Sequence, residues 1–274
     1  MDAKVLYLCA GTQSSGSTLI SWCFLQRPDM DGFLDQRGDI LPHIPESFAR
    51  PYAWCKFTVN CFRLAEARIH FEDEGWEVRP LLVIRDVRAV LNSLIKKSYG
   101  RNGVTAEEPP LRMRLRRFKE DWELFRQLGW PMIQYEKLIG APQATLQDVC
   151  RQLALPWDTG MMEWTKAKSD ISAPVHGNAT FRQTVGKSLI ETINPSLIEL
   201  KTGNIPPEDL DWLEREFAEF NRAFGYPEHA PRTPWKGEQM RAIPRWENTR
   251  RHMKKQKKNP VLRVLRAITP KKKL

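Results

Sequence analysis

Residues 4–20 read KVLYLCAGTQSSGSTLI and join a short apolar run to a turn rich in glycine and serine. The apolar run predicts a β-strand, and the segment after Gly16 predicts a helix. The first N–H groups of a helix have no partners inside the helix, and its dipole favours negative charge at that end. The stretch therefore predicts an anion-binding loop at the end of the first strand.

This loop departs from the loops that bind nucleoside triphosphates. Gly11 and Gly16 have the expected spacing, but Ser17 stands where a lysine would reach the β- and γ-phosphates. A kinase would also need a carboxylate for Mg²⁺ after an apolar strand, which Asp86 could supply. We therefore expect a nucleotide with a shorter anionic chain, and a kinase-like phosphotransferase is the alternative.

Apolar runs and helical patterns alternate along the chain. Strands are predicted at 52–59, 78–84 and 131–135, and helices at about 64–75, 86–100, 111–128, 142–153 and, more weakly, 207–224. Strands separated by helices form right-handed crossovers and a parallel sheet. The predicted fold class is α/β, a three-layer P-loop-like parallel sheet with helices on both faces. Ligands of such sheets bind beyond the carboxyl ends of the strands, where the first loop and Arg85 both fall.

Length and charge favour a single domain with a basic extension. The 274 residues are 41% hydrophobic, enough to bury one sizeable core. Eleven of the 43 Lys and Arg residues lie in 250–274, which holds no Asp or Glu, so the preceding chain carries 32 basic and 33 acidic residues. We expect an α/β domain over 1–230 and a basic extension over 231–274 that is partly disordered or forms a short amphipathic helix.

The cysteines and the apolar segments bear on the cellular compartment. Five cysteines without a C-x-x-C spacing predict reduced thiols, and no apolar run approaches the roughly 18 residues of a membrane span. No signal peptide is apparent before the first strand. We expect a cytoplasmic protein whose basic tail is solvated charge. Contact of the tail with an anionic membrane surface, at the inner face of a membrane, or with an acidic substrate is the alternative. Nucleic acid is not expected, because the tail lacks interleaved aromatic residues.

Three motifs together resemble sulfotransferases that use 3′-phosphoadenosine 5′-phosphosulfate (PAPS), in particular the bacterial and carbohydrate-type members. They are Gln13-Ser14-Ser15-Gly16-Ser17-Thr18-Leu19, the run from Val83 to Ser93, and His176-Gly177-Asn178-x3-Arg182. The resemblance spans about residues 5–187 and implies a P-loop fold and transfer of a sulfuryl group to a hydroxyl, of a carbohydrate or glycolipid. It implies PAPS as co-substrate, adenosine 3′,5′-bisphosphate (PAP) as product, and no metal.

The resemblance also assigns roles to residues. The loop residues that would bind the 5′-phosphosulfate are Thr12, Gln13, Ser14, Ser15, Gly16, Ser17 and Thr18. Arg85 and Ser93, eight positions apart, would bind the 3′-phosphate, and Arg182 would close over the nucleotide. The segment Tyr135-Glu136-x-Leu138 resembles a family element that follows a strand, although an aromatic residue there is equally typical of a core.

Ser14 departs from the family pattern, because members commonly carry Lys or Arg two positions before the glycine. Sulfuryl transfer builds negative charge on the leaving phosphate oxygen, and a missing cation would sacrifice roughly a few kcal/mol of stabilisation. Lys56, at the expected end of the second strand, and Arg182 are the candidates to replace it. The alternative for Lys56 is a lysine that snorkels at the rim of the sheet.

The resemblance also implies a general base soon after the first helix, where related bacterial enzymes often carry an acidic residue. Asp35 is the first candidate, followed by His43 and Glu46, and each has the alternative of a solvated loop residue or a helix cap. A basic cluster at Arg112, Arg114, Arg116, Arg117 and Lys119 predicts a solvated helix face, with an acidic acceptor as the alternative. A non-catalytic nucleotide- or polyanion-binding protein is the third class, favoured by Ser14 and by the charge of the tail.

Overall fold

A five-stranded parallel sheet organises the structure, a computed structural model that describes residues 5–34, 50–97, 111–171 and 186–229. The strands are β1 (Val5–Gly11), β2 (Met30–Phe33), β3 (Tyr52–Thr58), β4 (Glu77–Ile84) and β5 (Met132–Gln134). The helices are α1 (Ser17–Leu25), α2 (Leu64–Glu72), α3 (Val87–Lys96), α4 (Leu111–Leu128), α5 (Tyr135–Gly140), α6 (Pro142–Gln152), α7 (Lys168–Ile171), α8 (Leu189–Thr192), α9 (Pro207–Glu216) and α10 (Ala218–Phe224). Short 3₁₀ turns occupy Thr159–Met161 and Pro195–Ile198.

The strand order β2-β3-β1-β4-β5 places β1 at the centre of the sheet. All four strand pairings are parallel, so the carboxyl ends of the strands meet at one edge. At that edge Gly11 pairs with Thr58, and Ile84 pairs with Gln134. The predicted α/β class is confirmed, and the β1–α1 loop begins in the middle of the ligand-facing edge.

Both faces of the sheet are covered, because successive side chains of each strand point to opposite sides. Leu6, Leu8 and Ala10 pack with α2, α3, α4, α9 and α10, whereas Tyr7 and Cys9 pack with α1 and α6. A strand buried on both faces has a continuous apolar sequence rather than an alternating one. This is why residues 5–10 and 81–84 were recognisable as strands.

One strand of the sheet was not predicted, and another ends earlier than predicted. The edge strand β2 was not predicted, since Asp31 and Gly32 interrupt its apolar pattern. Gly32 is required by close packing, because a Cβ there would lie 1.9 Å from the carbonyl oxygen of Trp54. Strand β5 ends at Gln134, and Tyr135 begins α5 instead of ending the strand.

The basic cluster on α4 is not a solvated face, and that prediction is wrong. Arg114 and Arg117 are only 1% and 8% exposed. Arg112 forms an ion pair of 2.6 Å with Asp209 of α9. These cations join α4 to its neighbouring elements.

All five cysteines are buried and none forms a disulfide, in agreement with the prediction of free thiols. Burial raises the pKa of Cys9 to about 12, so this thiol is protonated at neutral pH. Among the helices of the described residues, none combines the length and the apolar composition of a membrane span. The predicted boundary at residue 230 and the basic extension lie outside the described residues.

Candidate functional site

The loop between β1 and α1 is a tight turn with two residues in the left-handed conformation. The amide of Ser15 donates a hydrogen bond of 3.1 Å to the carbonyl of Thr12. Ser14 has φ 67° and Gly16 has φ 92°, a region that favours glycine. A Cβ at Gly16 would also lie 2.2 Å from a ring carbon of Tyr135. Backbone conformation and close packing therefore both demand glycine at position 16.

The amino-terminal end of α1 suits an anion. Within the described residues no side chain caps this end, and the first turn contains no acidic residue. The free amides and the positive end of the helix dipole then face the same point. Of the predicted loop residues, Gln13, Ser14, Gly16 and Thr18 are partly accessible, and Thr12, Ser15 and Ser17 are buried.

Arg85 and Ser93 both reach this loop, from a different strand and a different helix. Arg85 follows β4, the neighbour of β1, and its Nη1 donates a hydrogen bond of 2.7 Å to the carbonyl oxygen of Ser14. Ser93 lies on α3, and its hydroxyl donates to Ser14 Oγ over 3.1 Å. The structure thus brings together the two stretches that the sequence analysis placed at one crevice.

Lys97 also reaches Ser14 and was missed by the sequence analysis. Its Nζ donates a hydrogen bond of 3.3 Å to Ser14 Oγ. Loss of solvation lowers the pKa of Lys97, and the neighbouring Arg85 guanidinium lowers it further. Ser93 and Lys97 are four positions apart on one helix face, and that spacing is the signal that could have revealed it.

Tyr135 contacts both Arg85 and the β1–α1 loop. The Arg85 guanidinium lies over its ring at 4.4 Å from the centroid, a cation–π contact. The same ring fills the space beside Gly16 and is only 5% exposed. Burial raises the pKa of the Tyr135 phenol, so it is protonated at neutral pH. The ring fixes the separation between the loop and Arg85.

Glu136 links the site to the carboxyl-terminal helices. Its Oε1 accepts a hydrogen bond of 3.1 Å from the amide of Asp86, next to Arg85 in the chain. Its Oε2 accepts one of 2.7 Å from the Tyr226 hydroxyl, just after α10. The Tyr-Glu pair after β5 is therefore part of the support of the site, rather than an aromatic core residue alone.

Asp86 is engaged in the structure and does not present a carboxylate to a metal. Its Oδ1 caps α3 by accepting from the Arg88 amide at 2.9 Å, and its Oδ2 forms an ion pair of 2.6 Å with the Arg88 side chain. Arg88 is fully buried and also contacts Glu214 at 3.2 Å. Over the described ranges, no group of three His, Cys, Asp or Glu residues could hold a metal ion.

Lys56 is buried, with 4% of its surface exposed, so the alternative of a snorkelling lysine is wrong. Its Nζ donates a hydrogen bond of 3.1 Å to Thr58 Oγ1 on the same strand. It pairs in register with Cys9, on the sheet face that α1 covers. Lys56 therefore lies within the sheet, two residues before the end of its strand and of the register that leads into the loop. Its catalytic role stays a prediction.

The comparisons with known proteins concern the fold. Neither the protein-family models nor the curated proteins gave a match. A sulfotransferase domain from the Synechococcus PCC 7002 olefin synthase is 14% identical over 84% of this chain and 98% of its own, with a TM-score of 0.50. A sulfotransferase domain from the curacin biosynthetic pathway is 13% identical over 83% of this chain and 99% of its own, with a TM-score of 0.52. The chain has the fold of these sulfotransferase domains.

A mouse sulfotransferase complexed with PAP is also similar, at 12% identity over 80% of this chain and 85% of its own, with a TM-score of 0.45. The remaining predicted site residues are Asp35, His43, Glu46 and Arg182, and all four lie outside the described residues. The roles assigned to them, as base and as nucleotide-closing arginine, stay predictions.

Proposed function

We propose that this protein is a PAPS-dependent sulfotransferase that sulfates a hydroxyl of a carbohydrate or glycolipid acceptor. The observation that carries the proposal is the meeting of Arg85 and Ser93 with the loop at Ser14, over 2.7 Å and 3.1 Å. Donors from β4 and α3 and the amides of α1 then lie at one edge of the sheet. This arrangement suits a nucleotide with anionic groups at two ends, and the shared fold of sulfotransferase domains supports it.

The donor nucleotide fits the charge of the site. The amides and hydroxyls of residues 12–18 and the uncapped end of α1 would hold the 5′-phosphosulfate. Arg85 and Ser93 would hold the 3′-phosphate, since a guanidinium matches phosphate geometry and a hydroxyl can donate beside it. PAPS itself supplies the sulfuryl group and a phosphate as leaving group.

The protein contributes alignment, proton transfer and charge stabilisation. The proposed base, Asp35 with His43 and Glu46 as alternatives, takes the hydroxyl proton of the acceptor as the new O–S bond forms and the bridging S–O bond breaks. A cation near the loop would stabilise the negative charge that develops on the departing 5′-phosphate oxygen. Lys56 and Arg182 remain the cations proposed to stabilise that negative charge. The scheme requires no metal.

Nucleotide preference tests the proposal against a kinase-like phosphotransferase. We expect PAP to raise the melting temperature far more than ATP with Mg²⁺ does, because the site offers two anion subsites and Asp86 is bonded to Arg88. Arg85→Ala should weaken PAP binding tenfold to a hundredfold in titration calorimetry, the effect of losing a charge-assisted hydrogen bond. Arg151→Ala, whose side chain is 78% exposed on α6, is the control.

Each contrary outcome points to a different class. Equal stabilisation by ATP would favour the kinase-like alternative, and binding of neither nucleotide would contradict the proposal. PAP binding without transfer of labelled sulfate from PAPS to any carbohydrate or glycolipid fraction would favour a non-catalytic nucleotide-binding protein. Loss of transfer in Asp35→Asn, with PAP affinity unchanged, would support Asp35 as the base.

We also propose that the protein acts in the cytoplasm and that residues 231–274 contact an anionic membrane surface or an acidic substrate. The support is the concentration of Lys and Arg in 250–274 without Asp or Glu. Deletion of residues 231–274 should abolish co-sedimentation with vesicles rich in phosphatidylserine, with neutral phosphatidylcholine vesicles as the control. Unchanged co-sedimentation would contradict the membrane role.

A further inference from the structure

Three donors converge on Ser14, and two of them are cations. Arg85 donates to its carbonyl oxygen at 2.7 Å, while Ser93 and Lys97 reach its hydroxyl at 3.1 Å and 3.3 Å. In the described parts of the chain, no carboxylate forms an ion pair with Lys97. Two cations that share one small residue repel each other, and an anion bound against them relieves that repulsion.

The backbone of α3 places Lys97 one helical turn after Ser93. The Lys97 amide donates a hydrogen bond of 3.0 Å to the Ser93 carbonyl at the end of α3. Both side chains therefore extend from one face of α3 towards the loop, one helical turn apart. The lysine is anchored by a regular helix that Asp86 caps at its other end.

We propose that Lys97 supplies, from α3, the positive charge that the loop lacks at Ser14, and that its ammonium group binds the 5′-phosphate end of the donor nucleotide. This inference rests on the proposed function. The 5′ end is chosen because the missing charge belongs to the loop, and the loop with the uncapped end of α1 is the part proposed to hold the 5′-phosphosulfate. Ser93 donates to the same Ser14 hydroxyl, so truncated nucleotides decide which end Lys97 binds. The amine of Lys56 instead donates to Thr58 within the sheet.

In the transfer step, the positive charge of Lys97 would stabilise the leaving group. As the acceptor oxygen bonds to sulfur and the bridging S–O bond breaks, the electron pair of that bond passes to the 5′-phosphate oxygen of PAP. An ammonium group beside Ser14 would stabilise the negative charge that this oxygen gains. Binding of an anion there also favours the charged form of Lys97 and so raises its pKa.

Truncated nucleotides locate the contact. Lys97→Ala should weaken PAP and 5′-AMP about tenfold or more in titration calorimetry, as expected for a charged hydrogen-bond donor, and leave 3′-AMP unchanged. Lys96→Ala, the neighbouring exposed lysine on α3, is the matched control and should leave all three ligands unchanged. Equal loss for 3′-AMP, or no loss for PAP, would overturn the assignment.

Moving the charge back into the loop distinguishes binding from a structural role. Ser14→Lys in the Lys97→Ala background should restore most of the PAP affinity, whereas Ser14→Gln in the same background should not. Because Ser14 already has φ 67°, the lysine adds little backbone strain at this position. Failure of Ser14→Lys to restore affinity, in a variant with a normal circular dichroism spectrum, would count against the proposal.

The design separates the two proposals. If the unaltered protein binds PAP and Arg85→Ala reduces binding, but Lys97→Ala binds as tightly as the unaltered protein, only the Lys97 assignment fails. If the unaltered protein does not bind PAP, the proposed function fails and the Lys97 assignment fails with it.

Discussion

The loop site and the α4–α9 contact both concentrate cations, but they use them differently. On α4, loss of solvation acts against the charge of Lys119, yet Glu216 and Glu123 outweigh it and raise the pKa of the amine. At the loop, loss of solvation and Arg85 both lower the pKa of Lys97. Cations paired with carboxylates hold helices together, whereas cations gathered around a serine are suited to an external anion.

Among the cations that are paired with carboxylates, Arg88 should show the largest loss of stability when it is removed. Arg88→Ala should lower the free energy of unfolding by about 3–5 kcal/mol, because it leaves Asp86 and Glu214 buried without their cation. Urea denaturation of the nucleotide-free protein measures this loss. Arg68→Ala, which removes a partly exposed pair with Glu72 on α2, is the control and should cost less than about 1 kcal/mol. A loss below about 1 kcal/mol for Arg88→Ala would contradict the distinction.

A buried carboxylate on α4 should make the stability of the protein depend on pH. Asp121 of α4 accepts hydrogen bonds from the amides of Leu64 and Ala65, but burial raises its pKa to about 7. The folded state then binds a proton more tightly than the unfolded state, whose Asp pKa is about 3.9. The stabilisation from protonation is complete below about pH 3.9 and is lost as the pH rises through about 7.

Asp121→Asn tests this dependence. In the unaltered protein, the free energy of unfolding should fall as the pH rises from about 4 to about 7, because Asp121 loses its proton in that range. The variant should not show this fall. Urea midpoints measured at intervals from pH 4 to pH 8 would show the difference. Parallel pH profiles for the two proteins would mean that Asp121 stays ionised in the fold.

The smallest effect is expected at Arg112. Arg112→Ala should cost about 1 kcal/mol or less, because its pair with Asp209 is partly exposed on both sides. PAP affinity should be unchanged, since the residue lies on α4 and forms its described ion pair with Asp209 of α9. A loss of PAP affinity with intact stability would show that the α4 cations also serve a ligand, and would remove the contrast between the two regions.

The sheet was predictable where burial leaves a continuous apolar pattern, as in β1 and β4. The edge strand β2 was not, because its glycine is demanded by the Trp54 carbonyl, a neighbour about twenty residues away in the chain. The misread α4 cluster has a similar cause. The carboxylate that pairs with Arg112 lies on α9, and no local pattern reveals a partner so distant in sequence.

At the site, the position of Arg85 at the end of a predicted strand indicated that it lies near the loop, whereas Ser93 was singled out only through the family resemblance. Lys97 was overlooked because a lysine at the end of an amphipathic helix is ordinarily solvated, and only the position of α3 brings it to Ser14. The roles of Asp35, His43, Glu46 and Arg182 depend on segments outside the described residues and stay predictions.

The ring of Tyr135 couples two positions of the sequence that are 119 residues apart. It occupies the volume that any side chain at Gly16 would need, and it also carries the Arg85 guanidinium. A larger residue at position 16 would have to adopt the left-handed conformation and would also need a smaller residue at position 135, and that second change would leave Arg85 without the aromatic ring it packs on. Neither position can vary alone, so among homologous chains the two should be retained as a pair or lost as a pair.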